Sequence, residues 1–263
     1  MINVGVTGAS GRMGRLLIDN ILRSEDTCLT SAFDIANIGK DIGEVAQVGT
    51  LNVPISSVDD MESVLKDSGT QLLIDFTIAN ATAENAPRAA AAGVDLVIGT
   101  TGLSPEQKKT IEDAILENGV SGIISPNYSV GVNVFFKILG EAAKYLGEMD
   151  IEIIEAHHNQ KKDAPSGTAK GAAEVISEAL GGKEYVYGRE GMAPRGKEIG
   201  IHAVRGGDIV GDHTVLFAGD GERIEIKHQA HSRQAFAGGA VKAAAWIGNA
   251  EPGLYTMQDI LGL

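Results

Sequence analysis

The fold class predicted for this chain is α/β: a parallel sheet covered by helices in the first half, then an α+β half with an open, mixed sheet. Three observations carry that reading. A β-branched run at residues 2–6 breaks into a glycine-rich turn and then into apolar residues at helical spacing. Strand and helix patterns alternate from there to about residue 124, the grammar of parallel strands joined by crossover helices. After Pro126 the strand patterns come close together, separated by short turns such as Gly219-Asp220-Gly221.

Composition bounds the function. With 263 residues, 43% of them hydrophobic, the chain can bury one large core or two modest ones. A formal net charge of -13 argues against nucleic-acid or acidic-membrane partners. An anionic ligand would therefore need a local patch of positive charge. Cys28 is the only cysteine, which excludes an intrachain disulfide and a cysteine-based zinc site. No apolar run approaches spanning length, and Met1-Ile2-Asn3-Val4 already reads as strand rather than leader. A soluble, cytoplasmic protein is expected.

The first strand leads into Gly8-Ala9-Ser10-Gly11-Arg12-Met13-Gly14, followed by Leu16, Leu17, Ile18, Ile21 and Leu22 at helical spacing. Strand, glycine turn and helix make a Rossmann-like unit. Its glycines let the backbone turn tightly and approach a pyrophosphate, whose charge suits the helix N-terminus. The spacing is G-x-x-G-x-x-G rather than G-x-G-x-x-G, and taken alone it equally fits an ordinary βα turn. A second strand at 28–33 ends in Asp34, about 20 residues beyond the last glycine. There an acid can bind a ribose hydroxyl pair or simply sit solvated at the strand end. Ile35 follows, where a base would meet a 2′-phosphate; this favours NADH over NADPH, although Arg12 and Lys40 could still reach such a phosphate.

A short strand is expected at 51–55 and a helix from Ser57 to about residue 66. The buried-strand pattern at 72–76 carries Asp75-Phe76-Thr77, and an alanine-rich helix at 79–92 stops at Gly93. A strand at 96–98 ends in Gly99-Thr100-Thr101-Gly102. Ser104-Pro105-Glu106-Gln107 then reads as a capping box with Pro at the first helical position. Asn118-Gly119 closes that helix before a last strand at 123–124. Ligands of such sheets lie at the carboxyl ends of the strands. The glycine turn, Asp34, Phe76-Thr77, Gly99 to Thr101 and Ser125-Pro126-Asn127-Tyr128 would thus share one edge. Each is ordinary by itself; their joint placement is the signal.

In the second half a helix at 133–146 precedes a strand at 151–156 and a dense polar stretch, Glu155-Ala156-His157-His158-Asn159-Gln160-Lys161-Lys162-Asp163-Ala164-Pro165-Ser166-Gly167-Thr168-Ala169. A helix at 169–180, a glycine-rich loop with Gly188, Gly191, Pro194 and Gly196, strands at 199–204, 214–217 and 223–228, a helix at 233–247 and a tail at 253–263 complete the chain. In an extended segment His157 and His158 face opposite ways, so one of them at most shares a site with Lys161 unless the chain bends after Ala156. No His-x-x-x-His pair accompanies them and His202, His213, His228 and His231 are scattered, which argues against a metal. A hydrogen-bonded structural histidine is the alternative for either one. Lys161 and Lys162 read as a solvated pair or as charge for an anion. Ser166-Gly167-Thr168 reads as an ordinary cap or as a helix N-terminus offered to a carboxylate. A lysine charge and a helix N-terminus aimed at one point suit a carboxylate substrate. A nicotinamide enzyme reducing a conjugated C=N or C=C system needs such charge, together with a proton source.

The polar stretch closely resembles the signature of the dihydrodipicolinate reductase (4-hydroxy-tetrahydrodipicolinate reductase) family. The resemblance extends over nearly the whole chain, through Gly8 to Gly14, Asp75-Phe76-Thr77, Gly99-Thr100-Thr101-Gly102, Asn127-Tyr128-Ser129-Val130-Gly131-Val132-Asn133 and Arg205-Gly206-Gly207-Asp208-Ile209-Val210-Gly211-Asp212-His213. It implies hydride transfer from NADH or NADPH to a cyclic dicarboxylate in the diaminopimelate route to lysine. It further implies His157 as proton donor and acceptor, Lys161 as proton donor, and His158, Gly167 and Thr168 as substrate-binding residues. Gly8, Ala9, Ser10, Gly11, Arg12, Met13, Asp34, Gly99, Thr100, Thr101, Ser125, Pro126, Asn127 and Tyr128 would line the cofactor, with no metal. A homotetramer built through the second sheet is implied, as is a final helix returning to the first domain. The expected domains are then 1–126 completed by 237–263, for the dinucleotide, and 127–236, for substrate and oligomerisation. The departure is Ile35, where members that use NADPH readily often carry Arg. Two rivals stay open: a semialdehyde dehydrogenase, disfavoured because Cys28 lies on an early strand, and a non-catalytic NAD-binding sensor.

Overall fold

The structure is a computed structural model that describes all 263 residues. The chain forms two compact units, one of Met1–Ser129 with Gln234–Gly262 and one of Val130–Arg233 with Leu263.

The first unit opens with β1 (Ile2–Thr7), α1 (Arg12–Arg23), β2 (Thr27–Phe33), α2 (Ile42–Ala46) and β3 (Ile55–Ser56). It continues through α3 (Met61–Asp67), β4 (Leu72–Asp75), α4 (Ala79–Ala91), β5 (Asp95–Ile98), α5 (Pro105–Glu117) and β6 (Ser121–Ile124). The second unit holds α6 (Val130–Leu146), β7 (Asp150–His157), α7 (Gly167–Ala179), β8 (Tyr185–Tyr187), β9 (Ile199–Arg205), β10 (Gly211–Gly219) and β11 (Glu222–Ala230). The chain then returns to the first unit as α8 (Gln234–Ile247), β12 (Gly253–Tyr255) and α9 (Met257–Leu261).

The first sheet has seven parallel strands in the order β12-β6-β5-β4-β1-β2-β3. Successive side chains of a strand point to opposite faces, and here both faces are covered. Leu72 and Ile74 join Val4, Val6, Leu17 and Ile18 beneath α1 and α8, whereas Leu73 joins Leu96, Ile98, Ile111 and Ile115 beneath α4 and α5. Burial on both sides is why these strands read as continuous apolar runs. From β1 the chain steps outward to β2 and β3, then returns to build β4, β5 and β6 on the other side. The order therefore reverses between β1 and β4, which places a crevice at their carboxyl ends.

The capping box at Ser104 forms as its sequence predicts, with Ser104 Oγ accepting from Gln107 N and Gln107 Oε1 accepting from Ser104 N. Two expectations are corrected. The strand expected at 51–55 shortens to Ile55–Ser56, because the Asp41 carboxylate gathers the N–H groups of Gly43, Glu44, Leu51 and Val53 and winds α2 beside it. The expected tail at 253–263 is instead a strand and a helix. Gly253–Tyr255 pairs with β6 and satisfies a ladder that would otherwise be an open edge, and a Thr256–Asp259 capping box starts α9.

The second sheet runs β11-β10-β7-β9-β8, with β10 antiparallel to both neighbours and β7, β9 and β8 mutually parallel. It is the open, mixed sheet expected. The apolar stripes of α6 and α7 (Phe135, Leu139, Ala172, Ile176) cover one face, against Ile151, Ile153, Ile199, Ile201, Val215 and Phe217. The other face carries no helix of this unit and leaves Ile154 39% and Val204 48% exposed.

Candidate active site

The residues singled out in the first unit all fall at carboxyl ends of its strands: Gly8 to Met13 after β1, Asp34 after β2, Gly99 to Thr101 after β5, and Ser125 to Tyr128 after β6. Gly8 takes a positive φ of 69°, and a Cβ on Gly14 would lie 2.2 Å from the Gly8 carbonyl oxygen, so the turn can close only with glycine at these places. Gly11 is the N-cap of α1 and offers no side-chain cap, leaving the first-turn N–H groups without a side-chain acceptor. Asp34 fastens the turn: its Oδ2 accepts from Ser10 N at 2.8 Å and its Oδ1 from Ala36 N at 3.0 Å. Ile35 beside it is 89% exposed.

Asp75, 1% exposed, organises the neighbouring strand ends. Its Oδ1 accepts from the hydroxyls of Thr77, Thr82 and Thr100, each at 2.8 Å, and from Thr77 N. Thr100 is thereby locked, while Thr101 is exposed. Gly99 is required where it stands, because a Cβ there would lie 2.1 Å from the Phe76 ring. Tyr128 turns its side chain into the core rather than into the crevice. Its hydroxyl donates to Ile98 O at 2.9 Å, and burial pushes the phenol well above the usual tyrosine pKa. Ala9 is also fully buried, whereas Pro126 is exposed.

The second-unit residues gather where β7 ends and α7 begins. Period-2 alternation sends Ile151, Ile153, Glu155 and His157 to the covered face, so a glutamate with no exposure lies among isoleucines. A buried carboxylate must be paired and hydrogen-bonded. Glu155 Oε2 accepts from His157 Nδ1 at 2.6 Å and from Arg205 Nη1 at 2.8 Å, and Oε1 accepts from Ser166 N and Arg205 Nη2, each at 2.9 Å. Burial would raise its pKa; the bonds from His157, Arg205 and Ser166 outweigh that and hold it at about 2. Ser166 Oγ caps α7 by accepting from Ala169 N, and it also bonds His213 Nε2 at 3.0 Å. The His213 ring stands edge-on to that of His157, 5.1 Å between centroids.

His157 is thus buried, whereas His158, one residue past it, is half-buried at the start of a turn closed by Lys161 N donating to His158 O. The Lys161 ammonium pairs with Asp163 at 2.9 Å, so its charge is partly compensated within the loop. Gly167 and Thr168 form the first turn of α7 beside Ser166. Sequence reasoning gave no role to Glu155, Arg205, His213 or Asp75. For Glu155 the local sequence offers no clear signal, because Ile153 and Ile154 are both apolar and the alternation shows only in which side chains of β7 are buried.

The arrangement offers a cradle for a dinucleotide in one unit, and an imidazole, an ammonium and a helix N-terminus in the other. A family model described as "Dihydrodipicolinate reductase, N-terminus" matches residues 2–128, and one described as "Dihydrodipicolinate reductase, C-terminus" matches residues 131–261. The 4-hydroxy-tetrahydrodipicolinate reductase of Methanococcoides burtonii is 76% identical over 262 residues, spanning both chains completely. That of Methanocaldococcus jannaschii is 54% identical over 269 residues, covering 100% of this chain and 98% of its own. Among solved structures, dipicolinate-bound dihydrodipicolinate reductase from Paenisporosarcina sp. TG-14 superposes with a TM-score of 0.79 at 28% identity, over 97% of each chain. An amine dehydrogenase from Mycobacterium smegmatis, at 14% identity and a TM-score of 0.62, shares the fold. With both halves matched in order and relatives similar along their whole length, the chain belongs to the dihydrodipicolinate reductase family.

Proposed function

We propose that this chain reduces 4-hydroxy-tetrahydrodipicolinate to tetrahydrodipicolinate, the reduction step of the diaminopimelate route to lysine, with NADH or NADPH as reductant. The observation that carries this reading is full-length similarity to enzymes named for that reaction, with the His157–Thr168 stretch folded onto the end of β7 and the start of α7. The net reaction takes up one hydride and one proton and releases the 4-hydroxyl as water.

The turn after β1 fits a dinucleotide: Gly14 lets α1 pack directly against the turn backbone, and the first turn of α1, with no side-chain cap, would present N–H groups to a pyrophosphate. The bound cofactor supplies the hydride. Gly8, Ala9, Ser10, Gly11, Arg12 and Met13 would hold its phosphates, and Asp34 would meet a ribose hydroxyl pair. Gly99, Thr100, Thr101 and Ser125 to Tyr128 would line the cofactor, with Ala9 and the buried Tyr128 acting through backbone and shape. In the second unit, His157 exchanges the proton, Lys161 donates one and stabilises charge developing on the ring, and His158 binds substrate. Gly167 and Thr168 present α7 N–H groups to a carboxylate. The Lys161–Asp163 pair opens as the substrate carboxylate takes the ammonium. Dipicolinate, bound to the Paenisporosarcina enzyme, is a planar dicarboxylate of the kind this site would accept. Four copies associate through the helix-free face of the second sheet, and the enzyme works in the cytoplasm.

The direct test supplies purified protein with freshly made 4-hydroxy-tetrahydrodipicolinate and either cofactor; folded protein that turns over neither pair sinks the reading. Cofactor choice has its own arm. Asp34 faces a 2′-phosphate with no adjacent base, so NADH is favoured, and Ile35→Arg should raise kcat/KM for NADPH by roughly tenfold through a bidentate phosphate contact. An unchanged NADPH efficiency removes Ile35 from the account.

A further inference from the structure

We infer that Glu155 is a positioning residue for proton transfer at His157: it holds the imidazole by Nδ1 and leaves Nε2, uncovered beside Gly211, as the one nitrogen that exchanges a proton with substrate. This rests on the assignment of proton transfer to His157 made above.

Glu155 is an anion in this setting, since Arg205 grips both its oxygens and Ser166 N donates to one of them. An ionised carboxylate only accepts hydrogen bonds. The hydrogen in the 2.6 Å contact to His157 therefore sits on Nδ1. In neutral imidazole one nitrogen donates and the other accepts, so Nε2 is bare; protonation adds a hydrogen there and nowhere else. Nδ1 keeps its hydrogen in both charge states, and only Nε2 changes.

The surroundings of Nε2 agree. His213 directs its own Nε2 to Ser166 Oγ rather than to His157. A Cβ built on Gly211 would lie 3.0 Å from His157 Nε2 and 3.5 Å from its Cδ2, so any side chain at that position would crowd the reactive edge. Glycine leaves it open. A carboxylate needed only to neutralise Arg205 would not require its shortest bond to be to a histidine.

The same carboxylate also sets the register of the imidazole with α7. Ser166 donates its N–H to Glu155 while its Oγ caps Ala169 N. The proton-exchanging ring and the helix start that carries Gly167 and Thr168 are thereby fixed to one group. Proton donor and carboxylate acceptor keep a constant separation, which is what a substrate with a carboxylate near its reducible bond requires.

The experiment is long-range 1H–15N NMR on full-length, 15N-labelled protein, at a pH where the His157 ring is neutral, with His157→Gln supplying the assignment. A protonated Nδ1 and a bare Nε2 are expected; an Nε2–H tautomer overturns the inference. In Glu155→Gln that tautomer preference should be lost, and kcat should fall roughly 10- to 100-fold with NADH affinity unchanged. Should Glu155→Gln fail to fold, Gly211→Ala takes its place: the Nδ1–H tautomer persists while kcat falls about tenfold. Wild-type kcat in folded Glu155→Gln overturns the positioning role, and wild-type kcat in Gly211→Ala overturns the assignment of Nε2 as the exchanging edge. Full turnover in His157→Gln would instead remove His157 from the reaction and leave the tautomer result standing, so the two failures are distinguishable.

Discussion

Two side chains near the end of β7 make opposite kinds of prediction. Lys161 lies on a turn, paired only with Asp163, and contributes little to the core. Its removal should cost chemistry, not folding: Lys161→Ala should lower kcat by about 10²- to 10⁴-fold, the range for a lost proton donor, with NADH affinity nearly unchanged in calorimetry. Wild-type turnover would take Lys161 out of the mechanism. His213 is the reverse case. Burial, reinforced by the neighbouring His157, pushes its pKa from 6.5 down to about 4. As pH falls below 6.5 the unfolded chain takes up this proton while the folded protein resists until about 4. The stability gained from a neutral His213 is therefore complete above pH 6.5 and lost on descent to about 4, a difference on the order of 3 kcal/mol. Glu155, held at about 2 against 4.5, loses its contribution between about 4.5 and 2, mostly below that window. Urea midpoints measured across the window should fall with pH in the wild type and flatten in His213→Gln; a flat wild-type curve would contradict the buried, neutral ring.

At the level of elements, the helices with a clear apolar period and a cap were legible from sequence, and α5 is the plainest because its capping box is written in four consecutive residues. What escaped is short and held by distant partners. α2 has five residues, too few to show a period, and exists because Asp41 collects N–H groups as far along as Val53. β8 and β12 have three residues each and are strands only by pairing with β9 and β6. The site was half legible for the same reason. The histidines and the α7 cap lie in one stretch, but Arg205 reaches Glu155 across 50 residues of sequence and nothing local announces it. The β1–α1 turn is the element whose requirement is sharpest. Gly14→Ala would put a methyl 2.2 Å from one backbone oxygen and 2.5 Å from another, whereas a Cβ at Gly11 meets its nearest atom at 3.1 Å. Overpacking of that kind costs about 1–3 kcal/mol. Gly14→Ala should accordingly lower both the melting temperature and NADH affinity, with Gly11→Ala much milder in stability; equal stabilities for the two variants would show that the turn relaxes freely.

For the whole molecule, association turns on the second sheet. One face is sealed by α6 and α7, while the other presents Ile154 and Val204 to solvent from adjacent strands. Open β faces with exposed branched side chains invite association, and the proposed tetramer uses this one. Each chain carries a formal charge of -13, so copies repel one another at long range and must be held by short-range apolar burial. Two consequences follow for light scattering. Salt should favour assembly, because it screens the repulsion while leaving apolar contact intact. Ile154→Asp should shift the protein towards smaller species by placing a charge where water is to be excluded, a cost of several kcal/mol for each unpaired buried carboxylate. Because Ile154 belongs to the second unit and the nucleotide cradle to the first, NADH binding should survive that substitution. A wild-type monomer at micromolar concentration, or an Ile154→Asp variant that keeps the wild-type mass, would mean that this face is not the interface.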